Sequence, residues 1–191
     1  MLRGQLRAAL LMVAVLTAVC GVAYPLVVTG AGQLLFGEQA NGSRVELDGR
    51  LAGSELLGRH FPERGFFVLR PSAAGDGYDA TASSASNLGP SSPKLLGQVE
   101  RRAAAYRQRE GLAPDALVPA DAVTASGSGL DPAISVRNAA LQAPRVAHQR
   151  GVPLAEIQGL IDANTHGPEL GFLGERYVNA TALNLELERG G

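Results

Sequence analysis

The stretch AALLMVAVLTAVCGVAYPLVVT, residues 8–29, decides the fold because none of its residues is charged. At about 1.5 Å per helical residue, a segment of this length crosses a hydrocarbon core of roughly 30 Å. We therefore predict a transmembrane helix over residues 8–29. A cleaved signal peptide is the alternative, with Gly21-Val22-Ala23 as a tolerable cleavage site. The apolar run continues through residues 26–28, beyond a typical signal-peptide core, which favours an anchor.

The charges that flank this helix predict its orientation. Arg3 and Arg7 precede the helix with no acidic residue among them, and the first charged residue after it is Glu38. The positive-inside rule then places residues 1–7 in the cytoplasm. Residues 30–191 are expected to form one domain on the outer side of the membrane.

The predicted helix has one face of small residues. They recur at i, i+3, i+4 and i+7 and comprise Ala14, Thr17, Ala18 and Gly21. Small side chains let a second helix approach closely in lipid, so this face is a candidate contact with a partner helix. The alternative is that alanine and glycine are simply common in membrane helices.

Composition excludes several classes of protein. Of 191 residues, 46% are hydrophobic and 18% are charged, which fits a globular domain with one membrane segment. Without Arg3 and Arg7, 15 basic residues remain against 18 acidic ones, a net charge of −3. A nucleic-acid partner would require a basic patch, so none is expected. The only cysteine, Cys20, lies in the apolar segment, so the external domain contains no disulfide.

The external domain is predicted to be a single α+β unit with strands near both ends. Residues 66–69, Phe-Phe-Val-Leu, form a short apolar run that indicates a buried strand. Residues 182–187 alternate between leucine and other residues, as in a half-buried strand. Residues 76–92 are rich in Gly, Ser, Asn and Pro without any period, which predicts a long loop.

Three helices are predicted between these strands from proline and glycine signals. Pro93 starts the first, which ends at Gly111. Asp131-Pro132 opens the second, which Pro144 must kink or interrupt. Pro153 opens the third, whose apolar face includes Leu154, Ile157, Leu160 and Ile161.

Enzyme motifs are few in this chain. The only lysine, Lys94, follows no glycine-rich loop, so a phosphate-binding P-loop is excluded. Ser91 and Lys94 satisfy the S-x-x-K pattern of serine acyl-enzymes, but a helix cap explains the same residues and a second lysine is missing for K-T-G. His60, His148 and His166 are scattered without ligand spacing, so no metal site is expected. We accordingly predict a protein without catalytic residues of its own.

A glycine-serine loop, residues 124–132 (TASGSGLDP), is the most unusual remaining segment. Its glycines permit positive φ angles, its backbone amides could form an anion-binding nest, and Asp131 could cap the following helix. A plain structural turn uses the same residues for the same backbone reasons. Arg70, which follows the predicted strand, could present a charge in a similar way.

Several strings in these loops, in this order, resemble the C subunit of the Kdp potassium-transporting ATPase. They span nearly the whole chain and comprise Arg70-Pro71-Ser72-Ala73, Tyr78-Asp79, residues 86–90 (SNLGP), residues 123–132 (VTASGSGLDP), Gln142, Arg145-Val146-Ala147, residues 171–175 (GFLGE), Val178-Asn179 and Leu183-Asn184-Leu185. The single anchor also matches that family.

The resemblance implies a bacterial inner-membrane complex that imports potassium at the expense of ATP. Its implied partners are a channel-like potassium-conducting subunit and a P-type ATPase subunit, besides the lipid bilayer. This subunit would be needed for assembly and activity. The family is also described as a catalytic chaperone that raises the ATP affinity of the hydrolysing subunit, so ATP is a possible ligand. Potassium itself is handled by the partner subunits.

Two hypotheses follow for the loops. In the first, they dock on the external face of the ion-conducting partner; in the second, the nest and Gln142 form a ligand-binding or nucleotide-assisting module, within the complex or unrelated to transport. The candidate residues for either role are Arg70, Ser72, Asn87, Gly89, Thr124, Ser126, Gly127, Ser128, Gly129, Asp131 and Gln142. A position outside the membrane conflicts with direct ATP contact, since ATP is absent there.

Overall fold

A computed structural model describes residues 2–47, 49–61 and 65–190. The chain divides into two compact units, Met1–Arg44 and Val45–Gly191. Its mixture of helices with small sheets and one N-terminal apolar helix confirms the predicted α+β class.

The first unit is dominated by one long helical stretch. It comprises α1 (Leu2–Leu16), a π-helical segment (Thr17–Ala23) and α2 (Tyr24–Leu35), followed by the short α3 (Gly37–Ala40). The span Arg3–Leu35 is long and apolar enough to cross a membrane. In the π-helical segment, Tyr24 N donates to Val19 O, five residues back. Pro25 follows directly, and because proline cannot donate a backbone hydrogen bond, the helix changes its hydrogen-bonding pattern just before it.

The described residues of the second unit form two small sheets and four helices of ten residues or more. Its elements are β1 (Arg44–Leu47), β2 (Arg50–Ser54), α4 (Pro93–Glu110), a 3-10 turn (Ala120–Ala122), β3 (Ala133–Ser135), α5 (Val136–Arg150), α6 (Leu154–Ala163), β4 (Thr165–His166), β5 (Tyr177–Asn179) and α7 (Ala180–Arg189). Strands β1 and β2 pair with each other, and the other three form a sheet in the order β3-β5-β4. Both pairings to β5 are antiparallel, with Val178 opposite Ile134 on one side and Thr165 on the other.

The hydrophobic core of this unit gathers side chains from most of these elements. Helix α5 packs against α6, and α7 packs against β3 and β5. Fully buried members include Phe67, Val146, Ile157, Val178 and Leu183. Each such apolar side chain contributes about 1.5–3 kcal/mol by leaving water.

Two of the predicted helices are confirmed. Helix α4 begins at Pro93 and ends before Gly111, whose φ of 66° is the left-handed conformation that glycine adopts most readily. Helix α6 begins just after Pro153. The residues of the long predicted loop, 76–92, lie outside every helix and strand of the described chain.

The predicted start of the middle helix is wrong. Asp131 does not cap a helix, because its Oδ1 accepts a hydrogen bond from Ala133 N at 2.9 Å and closes a local turn. Strand β3 follows, and Ser135 is the N-cap of α5, with its side chain accepting from Asn138 N. The proline after Asp131 therefore precedes a strand.

The prediction that Pro144 interrupts the same helix is wrong, because α5 continues through it, whereas a kink at Pro144 stays a prediction. Pro144 and Ala140, whose carbonyl loses its hydrogen-bond donor, both lie on the exposed face. Water can satisfy that carbonyl, so the helix tolerates the proline.

The predicted strand over residues 182–187 is a helix, α7. Asn179 caps it, because its side-chain oxygen accepts from Ala182 N at 3.0 Å. The leucines alternate because this helix is buried on several sides, with Leu183, Asn184, Leu185 and Leu187 all inside. A helix buried around most of its circumference loses the polar face that its period normally reveals.

In the predicted strand over residues 66–69, Phe66, Phe67 and Leu69 are buried as expected, but the segment belongs to no sheet of the described residues. Its backbone pairs with two amide side chains. Phe67 N donates to Asn184 Oδ1 and Val68 N donates to Gln142 Oε1, at 2.8 and 2.7 Å. These side chains satisfy backbone groups that a neighbouring strand would otherwise pair with.

Candidate functional site

The structure brings the Arg70–Ser72 segment against the glycine-serine loop, about 60 residues later in the chain. Arg70 Nη1 lies 3.1 Å from Asp131 Oδ2 in a partly exposed ion pair. Ser72 Oγ donates to Gly129 O at 2.6 Å. Four of the predicted site residues therefore meet at one place.

The Ser72 hydroxyl also organises the turn that follows it. Its Oγ accepts from Ala74 N at 3.2 Å and from Tyr78 N at 2.8 Å. Tyr78 returns to the same segment, since its hydroxyl donates to Arg70 O. Burial raises the pKa of Tyr78, and the nearby Asp131 carboxylate adds to the shift. The tyrosine thus stays a neutral donor and fixes the backbone that presents Arg70.

Within the glycine-serine loop, the serine side chains bind the loop's own backbone. Ser126 Oγ accepts from Gly129 N at 2.9 Å, and Ser128 Oγ accepts from Leu130 N at 3.1 Å. Two amides of the predicted nest are therefore already occupied. Thr124, at the start of the loop, donates its hydroxyl to Ala120 O at 2.7 Å.

The two glycines of this loop differ in what they require. Gly129 has a φ of +69°, and a Cβ there would lie 2.7 Å from both Ala74 N and Ser84 O. Only glycine fits, because the backbone at Ala74 and Ser84 passes too closely for any side chain. Gly127 has open space around its Cα and a φ outside the positive region, so the predicted need for positive φ holds at Gly129 alone.

A cleft of about 630 Å³ lies beside this loop. It is lined by Leu56, Leu57, Arg70, Asp131 and residues 125–128, among others. The Arg70 Nε is buried and has no hydrogen-bond acceptor among the described residues. The cleft thus combines an apolar side with a guanidinium group whose charge Asp131 balances.

Other predicted site residues lie elsewhere. Asn87, with a φ of +51°, and Gly89 are exposed in the long loop, where Gly89 O accepts from Ser92 N at 3.0 Å. Ser91 and Lys94 are both exposed at the start of α4, where the proline-initiated helix accounts for them.

Gln142 is completely buried, and its amide makes four hydrogen bonds. Its Oε1 accepts from Val68 N and Arg145 Nη2, and its Nε2 donates to Val68 O and Asn138 Oδ1, all within 2.7–3.0 Å. This uses the full donor and acceptor capacity of the amide. In this structure Gln142 therefore supports the core.

Gln142 belongs to a buried polar network that motif analysis did not find. The Glu110 side chain is fully buried between two guanidinium groups, Arg109 Nε at 2.6 Å and Arg145 Nε at 2.8 Å. Tyr106 joins the network by donating to Asn138 Oδ1 at 2.9 Å. Burial raises the pKa of Tyr106, with Glu110 adding to the shift. The only signal in the sequence was the presence of Gln142 and Arg145 among the strings of the resemblance.

The small-residue face of the membrane helix adjoins the π-helical segment. Ala14 lies in α1, whereas Thr17, Ala18 and Gly21 lie in the π-helical segment itself. A Cβ on Gly21 would lie 3.7 Å from Thr17 Cγ2, so these two residues are neighbours on one face. All four are exposed. Partner contact at this face stays a prediction.

Comparison with known proteins agrees with the family resemblance. A family model described as the c chain of the K+-transporting ATPase matches residues 6–189. A Mycobacterium tuberculosis protein named Potassium-transporting ATPase KdpC subunit is 56% identical over 188 residues, covering 98% of this chain and 100% of the relative.

More distant relatives with the same name show the same full-length similarity. One from Caulobacter vibrioides is 50% identical over 185 residues, covering 96% of this chain and 92% of its own. One from Beijerinckia indica is 48% identical over 184 residues, covering 96% and 93%. The chain therefore belongs to the KdpC family, the c chain of the K+-transporting ATPase.

Proposed function

We propose that this chain is a non-catalytic accessory subunit of a high-affinity, ATP-driven potassium importer in the bacterial inner membrane. Its role is to permit assembly and activity of the channel-like, ion-conducting subunit and of the P-type subunit that hydrolyses ATP. One apolar helix anchors it, with residues 1–7 in the cytoplasm and residues 30–191 outside. The charge bias of Arg3 and Arg7 supports that orientation.

The observation that carries this proposal is that the candidate serines form hydrogen bonds that hold the loops in shape. The hydroxyls of Ser72, Ser126 and Ser128 all bind backbone groups, and each closes a loop. A nucleophilic serine would need a neighbouring base, whereas these serines shape two loops into one surface. A rigid surface of this kind suits docking on the external face of the ion-conducting subunit.

A second candidate is a nucleotide-assisting role, which the description of the family as a catalytic chaperone suggests. The 630 Å³ cleft, which Arg70 helps to line, favours it, since a guanidinium group binds phosphate well. Asp131 forms an ion pair with the same arginine, and its negative charge disfavours binding of a polyanion. The net charge of −3 after residue 7 acts in the same direction. We rank the docking role first for that reason.

The decisive experiment removes this chain from the complex. The ion-conducting and ATP-hydrolysing subunits are expressed with and without it, and both complex yield and potassium-stimulated ATP hydrolysis are measured. We expect both to fall sharply without the chain and to recover when it is supplied separately. Full yield and full activity without it would refute an accessory role.

Calorimetry separates the two candidates. We expect no saturable binding heat when millimolar ATP is titrated into the purified full chain in detergent. A saturable isotherm that Arg70→Ala abolishes would make the nucleotide role the better account. Lys94→Ala is the matched control, because it removes an exposed positive charge outside the cleft.

A further inference from the structure

A second cavity, of about 650 Å³, lies in the second unit between residues 59–61, residues 67–69 and the helices α4 and α5. It shares no lining residue with the 630 Å³ cleft. Its size falls within the range of about 300–1,000 Å³ that is usual for small-molecule sites. Three arginines, Arg59, Arg109 and Arg145, line it, and we call it the arginine cavity.

The arginine cavity carries an excess of positive charge. None of the described residues that line it is acidic. Glu188 pairs with Arg59 at 2.5 Å, and the single carboxylate of Glu110 pairs with both Arg109 and Arg145. Three guanidinium groups therefore share two paired carboxylates, which leaves a surplus of one positive charge. A cavity with low-dielectric walls concentrates the field of such a charge and attracts an anion.

Two of the three arginines are held in place by other groups of the fold. Arg59 Nη1 donates to Ala52 O at 2.8 Å, and the guanidinium carbon lies 4.3 Å from the centroid of the Phe61 ring. Arg145 Nη1 donates to Phe66 O at 3.1 Å. Because their side chains are already ordered, little conformational entropy is lost when an anion binds beside them.

The third arginine, Arg109, can donate hydrogen bonds to a ligand. Its side chain is 38% exposed, and among the described residues only its Nε has an acceptor, the Glu110 carboxylate. Both Nη groups remain as donors in the fork geometry that fits a carboxylate. Gln108 and Gln149 are exposed and line the same cavity, so their amides add further polar groups.

The remaining lining of the cavity is largely apolar. Phe61, Val68, Leu69 and Ala105 contribute to it, and Phe61 lies under the Arg59 guanidinium. Ligand sites typically combine such an apolar lining with a few polar groups that fix orientation. The cavity therefore suits a ligand that has one charged end and one apolar part.

We propose that the arginine cavity binds a small organic anion with a single carboxylate and an aromatic or alkyl part. The carboxylate would accept hydrogen bonds from Arg109, and the apolar part would lie against Phe61 and Ala105. One surplus positive charge matches a monoanion and leaves most of the charge of a polyanion such as a nucleotide unbalanced. This site goes beyond the docking role and does not depend on it.

Photolabelling of the purified full chain in detergent tests the site. The probe is para-benzoylbenzoate, a photoreactive aromatic carboxylate, and adducts are mapped by mass. We expect saturable labelling of residues that line the arginine cavity. Naphthoate should suppress this labelling, whereas the uncharged naphthamide of the same shape should not. Absence of saturable labelling at the cavity, or equal suppression by both compounds, would overturn the proposal.

The same labelling in the assembled complex identifies what occupies the cavity. We expect the probe to label the chain to the same extent when the partner subunits are bound. Loss of labelling on assembly would show that a partner subunit fills the cavity and would refute a site for a free anion.

Two variants, each with a matched control, locate the binding groups. Ala105→Trp fills the cavity from the exposed surface of α4 and should abolish labelling, whereas Ala104→Trp on the same helix lies outside the lining and should not. Arg109→Gln should weaken binding by at least about tenfold, as expected when a hydrogen bond to a charged group is lost. Arg101→Gln removes an exposed charge outside the cavity and is its control. The Tm of each variant in detergent verifies folding. Unchanged labelling of Ala105→Trp or Arg109→Gln would contradict the proposal.

Discussion

Asn184 forms a reciprocal pair of hydrogen bonds with Phe67, although the two residues are 117 positions apart. Phe67 N donates to Asn184 Oδ1, and Asn184 Nδ2 donates to Phe67 O, both at 2.8 Å. Gln142 does the same for Val68 from another helix. Two amide side chains thus replace the neighbouring strands that a buried extended segment normally requires.

We predict that Asn184→Ala lowers the free energy of unfolding of the full chain by about 3 kcal/mol. The substitution leaves one buried N–H and one buried C=O of Phe67 unpaired, each at a cost of about 1–3 kcal/mol. Denaturant unfolding in detergent measures the loss. Gln108→Ala removes an exposed amide and should change stability by less than about 0.5 kcal/mol. Equal effects of the two substitutions would contradict the pairing.

The two glycines of the glycine-serine loop provide a matched comparison. Gly129→Ala should destabilise the second unit by about 2–4 kcal/mol, because it combines a left-handed backbone with clashes against Ala74 N and Ser84 O. Gly127→Ala meets open space and should be nearly neutral. Thermal unfolding of both variants checks this. A neutral Gly129→Ala would show that the two loops do not pack as described.

Alkaline pH should lower the stability of the second unit through its buried tyrosines. The pKa of Tyr106 is raised by burial, so the folded chain keeps the phenolic proton above the pH of about 10 at which the unfolded chain releases it. The unfolded state then binds fewer protons, and the free energy of unfolding falls as pH rises above about 10. Tyr78 contributes in the same direction.

Tyr106→Phe tests this linkage by comparing unfolding at neutral pH with unfolding above pH 10. The variant loses the hydrogen bond to Asn138 Oδ1 at all pH values, yet its stability should decline less steeply in alkali than that of the unmodified chain. Parallel declines for both proteins would rule out Tyr106 as a source of the pH dependence.

The small face of the membrane helix is tested by enlarging it. Ala18→Leu with Gly21→Leu should leave the chain in the membrane, since insertion requires only apolar length. Co-purification with the transport subunits should fall, because helix association in lipid needs close approach. Val15→Leu with Val19→Leu enlarges a different face and is the control. Equal complex yields from both double variants would show that the small face is no contact.

Local signals predicted those parts of the fold whose causes are local. Helix α4 was predictable because a proline starts it and Gly111 in the left-handed conformation ends it. Helix α7 was misassigned because it is buried on several sides, and the cap formed by Asn179 was the overlooked signal. The segment 66–69 could not be assigned correctly from its own residues, since its partners Gln142 and Asn184 are remote in sequence.

The candidate site was predictable only in part for a similar reason. The glycine-serine loop stands out by composition, and the resemblance to a known family pointed to both loops. The contact of Ser72 with Gly129 depends on tertiary folding. The burial of Gln142 also depends on tertiary folding. The structure places this residue inside a buried polar network that local periodicity does not reveal.

Accessibility labelling in intact cells tests the central claim, that this is an external docking subunit held by one helix, most directly. In a Cys20→Ser background, Ala113→Cys places a thiol at an exposed position of the second unit, and Leu2→Cys places one before the membrane segment. We predict that a membrane-impermeant reagent labels Ala113→Cys in intact cells and Leu2→Cys only after lysis. Labelling of Leu2→Cys alone in intact cells would reverse the topology, contradict external docking and place the second unit on the side where ATP is present.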